Sequence, residues 1–161
     1  MERTPPFVVE QLSNGLTVVI EIMPHVQSAA CGFLARTGAR DDPPELAGVS
    51  HFLEHMMFKG TPRRAWEQVN IEFDEMGSYY NAYTSKDRTF YYGWVQSGDL
   101  DRQLDLIADM MRSTLPEDQF EIGKRLPRIA QVHLRPEAGS RQPADCLVHV
   151  LRQPGGEAGR L

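Results

Sequence analysis

Cysteine is nearly absent from this chain: Cys31 and Cys146 are the only two among 161 residues. That count argues against a disulfide framework and against a cysteine-built metal centre. No apolar run approaches the roughly 18 residues that cross a bilayer, so no membrane partner is expected. The first six residues hold one acid, one base and no apolar core, unlike a signal peptide, and a cytoplasmic location is the expectation. A net charge of −5 with no basic stripe argues against nucleic acid. Hydrophobic residues at 41% and charged residues at 24% mark a globular composition, and the length suits one domain with a real core.

Aromatic residues are missing from the last forty positions; all 14 lie in residues 1–121. Charge breaks at the same place. Residues 1–121 carry 10 Lys+Arg against 19 Asp+Glu, whereas residues 122–161 carry 7 against 3. The second stretch also holds Pro127, Pro136, Pro143 and Pro154 and has little with which to build a core. The reading is a folded unit over residues 1–121 and a divergent tail over 122–161, disordered or produced by a shifted reading frame.

Within the first unit, Ser13-Asn14-Gly15 is a hairpin signal between residues 7–12 and the β-branched run at 16–20. Residues 27–36 form a third expected strand, and Asp41-Asp42-Pro43-Pro44 a loop. Helices are expected at 48–58, at 66–76 ahead of Gly77, and at 100–111, where Leu104, Ile107, Ala108 and Met111 repeat at helical spacing. Residues 79–84 and 88–96 are aromatic and β-branched, as strands are. Thr114-Leu115-Pro116-Glu117 resembles the capped start of another helix. This mixture of hairpins and helices predicts an α+β fold, an antiparallel sheet flanked by helices.

The chemistry concentrates in His51-Phe52-Leu53-Glu54-His55. At about 100° per residue, His51, Glu54 and His55 fall on one side of a helix. Two imidazoles at i and i+4 can grip one metal ion, and zinc accepts nitrogen and oxygen ligands while keeping a position for water. A neighbouring carboxylate that is not a ligand can take the proton of that water, and Glu54 is placed for this. The order His-x-x-Glu-His is that of an inverted zinc motif, set against the plainer reading of a surface helix that carries two histidines and an acid by chance.

The stretches Leu12-Ser13-Asn14-Gly15-Leu16, then residues 48–61 around the motif, then Asn81-Ala82-Tyr83-Thr84-Ser85 closely resemble the insulinase/pitrilysin family. The resemblance runs from about residue 7 to residue 121. It implies that His51 and His55 are zinc ligands and Glu54 the general base of a zinc metalloendopeptidase. It also implies a partial N-terminal domain of that type, whose peptide substrate adds as a strand to a sheet edge near Asn81 and Tyr83. A homologous second half, in the same chain or as a paired subunit, is implied as partner. The third zinc ligand is implied to be a Glu about 75–80 residues beyond the second histidine. Residues 130–135 fill that window without a Glu, and no acid lies between Glu121 and Glu137. The expectation is therefore a peptidase domain impaired in metal binding. The alternatives are a non-catalytic, peptide-binding relative and a remnant reading frame.

Other residues have plainer readings. His133 and Glu121 are weak substitutes for the missing ligand, and His25 and His149 are expected to face solvent. Met56, Met57, Met110 and Met111 read as core filler, as do Trp66, Phe73, Tyr91, Tyr92 and Trp94. Asp101, Asp105 and Asp109 read as a solvated helix face.

Overall fold

The alternating strand segments and amphipathic helices assemble into one sheet with helices on one side. A computed structural model describes residues 7–120 in full and, for residues 146–152, the backbone. In chain order the elements are β1 (Phe7–Gln11), β2 (Thr17–Ile22), β3 (Ser28–Ala35), α1 (Val49–Met56), α2 (Trp66–Glu75), β4 (Tyr79–Thr84), β5 (Thr89–Gln96), α3 (Leu100–Met110) and β6 (Cys146–Arg152). Short 3-10 turns at Ala39–Asp41 and Pro44–Leu46 lead into α1. Residues 117–120 are helical, in line with the capping signal before them.

The six strands run in the order β1-β2-β6-β3-β5-β4. Their pairings are antiparallel except β2 with β6, which is parallel with Thr17 opposite Leu147. β6 also pairs antiparallel with β3, so a segment of the aromatic-free stretch lies inside the sheet. β4 forms one edge of the described sheet, and α1 packs beside it.

One face of the sheet meets the helices because alternate side chains of β3 and β5 point the same way. Ala29 and Cys31 from β3, with Tyr91 and Val95 from β5, join Val69 and Phe73 of α2 and Leu106, Ile107 and Met110 of α3 in the core. Burying each of the large aliphatic or aromatic side chains contributes about 1.5–3 kcal/mol, which holds α3 against the strands. Met56 and Met110 are buried as core filler, and Phe73 and Tyr91 pack inside, but Trp66 and Trp94 are exposed. Trp94 instead stacks on Tyr79 at 3.9 Å between ring centroids, on the face away from the helices.

α3 departs from expectation at one residue. Asp109 is not on a solvated face; it is 1% exposed. The loop after α1 brings Arg64 and Thr61 over it, with Thr61 Oγ1 donating to Asp109 Oδ2 at 2.6 Å and Arg64 at 2.8 Å. Arg63 and Arg64 both pair with the half-exposed Asp105, and Asp101 is left in solvent.

Candidate metal centre

α1 carries the histidine pair, and its entry is set by a carboxylate outside the helix. Gly48, at the N-cap, has φ 96°, a left-handed conformation that glycine adopts without steric cost. Asp42 then reaches the exposed helix donors: Oδ2 accepts from Gly48 N at 2.7 Å, and Oδ1 from Ser50 N at 3.1 Å and Ser50 Oγ at 2.5 Å. The loop bearing Asp42 is fixed in turn to the β4–β5 turn, where Ala39 N and Arg40 N donate to the carbonyls of Ser85 and Lys86, each at 2.9 Å. Gly38 sits so close to that turn that a Cβ there would meet Ser85 O at 2.5 Å. At the other end, Ser113 Oγ donates to Met56 O at 3.0 Å, and Phe52 stands edge-on to Phe120. α1 is thus held at both ends beside the edge strand.

The helical spacing then brings the motif together. The Nε2 atoms of His51 and His55 lie 3.2 Å apart, with ring centroids 4.8 Å apart. Two imidazole nitrogens bound to one tetrahedral zinc ion at roughly 2.0–2.1 Å would stand about 3.3 Å from each other. The donor pair therefore fits the ion. One ligand-capable atom from each of His51, Glu54 and His55 lies within 4.8 Å of the other two. Both imidazoles are partly open to solvent, whereas Glu54 is 7% exposed.

Electrostatics favour the neutral, metal-binding form of His55. Burial first, and then the adjacent His51, lower its pKa from the ordinary 6.5, against the opposing charge of Glu54. Glu54 points inward, toward the strands. Thr84 Oγ1 donates to its Oε2 at 2.5 Å. Burial, and then the charge of Glu54, push the Tyr91 phenol upward.

Asn81 and Tyr83 are placed differently. Both are exposed on β4, but alternation puts them on the face opposite Thr84 and the helices. Tyr83 meets Phe90 and Tyr92 edge-on, and Asn81 Oδ1 accepts from Ala82 N at 2.8 Å. The strand packs beside α1 and brings Thr84 to Glu54, but it carries these two side chains on its other face. His25 is exposed, as expected. Glu121, His133 and the side chain of His149 lie outside the described residues, as does the window at 130–135. Asp42 and Thr84 are the participants that motif spacing does not reveal. The period-2 pattern of β4 was the available signal for Thr84, since it places that hydroxyl on the helix side.

Residues 17–139 match the family described as insulinase (peptidase family M16). A protein named as an uncharacterized zinc protease from Rickettsia felis is 40% identical over 143 residues, covering 89% of this chain and 34% of that protein. The mitochondrial-processing peptidase subunit beta of Lentinula edodes is 36% identical over 148 residues, covering 84% of this chain and 32% of its own length. The crystal structure of a protease from Helicobacter pylori superposes with a TM-score of 0.71 at 30% identity, covering 74% of this chain and 29% of that one. The chain spans about a third of the length of the curated relatives it matches.

Proposed function

Because the chain belongs to the insulinase family, peptidase family M16, whose metal is zinc, we propose that it carries the base and two zinc ligands of a metalloendopeptidase. The observation that supports this most directly is the 3.2 Å approach of the two Nε2 atoms beside a buried carboxylate. His51 and His55 would hold the ion, which, when bound, supplies Lewis-acid chemistry toward water and a peptide carbonyl. Glu54 takes the proton of the attacking water and returns it to the leaving amine. The burial of Glu54 keeps bulk solvent away from that exchange.

The substrate is a peptide lying as an added strand along the edge of β4, with Asn81 and Tyr83 flanking it on the outer face. A homologous second half completes the enclosure around it. Among the described residues no helix is long and apolar enough to cross a membrane. In this reading residues 1–121 form the insulinase-type unit. Residues 122–161 form a divergent tail that contributes β6 to the sheet.

The proposal includes impairment. Residues 130–135 contain no acid, and two neutral histidines without a carboxylate hold zinc weakly. A non-catalytic, peptide-binding relative is the second reading, and the same missing acid favours it. Zinc titration and a peptide-cleavage assay on the purified chain test the impairment. Weak zinc binding and little cleavage are expected. Stoichiometric zinc at sub-micromolar affinity, with cleavage abolished by Glu54→Gln, would overturn it.

A further inference from the structure

Glu54 is buried, and one of its two oxygens is already engaged by the hydroxyl of Thr84 at 2.5 Å. Thr84 closes β4, and its β-branched side chain has few rotamers, so the strand fixes where that hydroxyl points. The same carboxylate lies near enough to the imidazole pair to become a ligand, since the three groups offer atoms within 4.8 Å of one another. A carboxylate so placed has two competing uses: it stays free to accept a proton, or it joins the histidines as a third donor. The competition is sharpest in a chain whose residues 130–135 contain no acid.

We propose that Thr84 is a positioning residue that tethers Glu54 away from metal ligation and so preserves it as a base. The proposal rests on the reading of His51 and His55 as metal ligands and of Glu54 as base. A hydrogen bond to a charged group corresponds to roughly ten- to hundredfold in an equilibrium constant. Removing the hydroxyl leaves a buried anionic oxygen without its partner, and a nearby dication is then the strongest one within reach. Loss of the tether should therefore tighten metal binding. A residue that merely supported the fold would weaken it.

The test is a cobalt(II) titration of the full chain, followed by d–d absorption, for the wild type, Thr84→Val, Thr84→Ala, Thr84→Ser, Glu54→Gln and the Thr84→Val/Glu54→Gln pair. Thr84→Val and Thr84→Ala should each bind about tenfold tighter or more, with an altered spectrum. Thr84→Ser should match the wild type, and the double variant should bind no tighter than Glu54→Gln. Unchanged or weaker binding in Thr84→Val and Thr84→Ala with wild-type circular dichroism overturns the proposal, as does a gain that persists in the double variant. Cobalt binding that survives His51→Ala/His55→Ala unchanged overturns the metal-ligand reading instead, which separates the two failures.

Discussion

Replacing Asp42 by alanine removes three hydrogen bonds at once from the start of the helix that carries the histidine pair. Asp42 Oδ2 accepts from Gly48 N, and Oδ1 from the backbone and hydroxyl of Ser50. Loss of an N-terminal capping side chain costs about 0.5–2 kcal/mol, typically ~1. Removing a negative charge near a helix N-terminus adds about 0.3–1 kcal/mol. Asp42 is half-buried, so the two effects together amount to about 1–2 kcal/mol. For a chain of this size that lowers Tm by about 2–8 °C. The same loss frees the first turn of α1, so the affinity of the purified chain for zinc should fall alongside Tm. Thermal unfolding by far-UV circular dichroism and zinc titration by competition with a chromophoric chelator measure the two effects. Asp42→Asn, which keeps an acceptor without the charge, should fall between, and Ser50→Ala should lose only the part owed to its hydroxyl. A Tm and zinc affinity both unchanged in Asp42→Ala would refute the claim that this carboxylate sets the helix.

The remaining predictions concern the core beneath the site. Asp109→Ala strands Arg64 and Thr61 and should cost about 3–5 kcal/mol in urea unfolding, as removing one partner of a buried ion pair does; a cost under about 1 kcal/mol would contradict the buried network. Burial alone would raise the pKa of Asp109, but hydrogen bonds from Thr61 and Arg64 hold it below the ordinary 3.8, and Arg63 does the same for Asp105. Their stabilisation is therefore present above the unfolded carboxylate pKa and lost as pH falls through the lower folded values. Urea midpoints should show this decline below about pH 4, less steeply in Asp109→Asn. Burial pushes the Cys31 thiol up to about 11, so Cys31 should resist alkylation at pH 8 in the native state and react once unfolded, as peptide mass mapping would show.

Much of this fold is legible in local sequence. Asn14-Gly15 marks the β1–β2 turn, and the β-branched and aromatic runs mark β2, β4 and β5, because turn chemistry and side-chain period act over a few residues. The histidine pair is legible for the same reason: i and i+4 on a helix are neighbours whatever surrounds them. β6 is not, because its place between β2 and β3 depends on pairing with strands more than a hundred residues earlier, and the stretch around it has no aromatic residue to advertise a core. The burial of Asp109 is not legible, because helical spacing tells which residues share a face but not that two arginines from another loop cover it. Asp42 and Thr84 are single polar residues in a loop and a strand, and their roles arise only where tertiary packing brings them to α1.

Zinc bound by His51 and His55 is the claim on which the rest depends. Equilibrium zinc titration of the wild type, His51→Ala, His55→Ala and His25→Ala measures it directly. Either motif substitution should abolish the weak wild-type binding, while His25→Ala, altering an exposed residue, should leave it unchanged. Zinc binding of wild-type strength in His51→Ala or His55→Ala would contradict the claim.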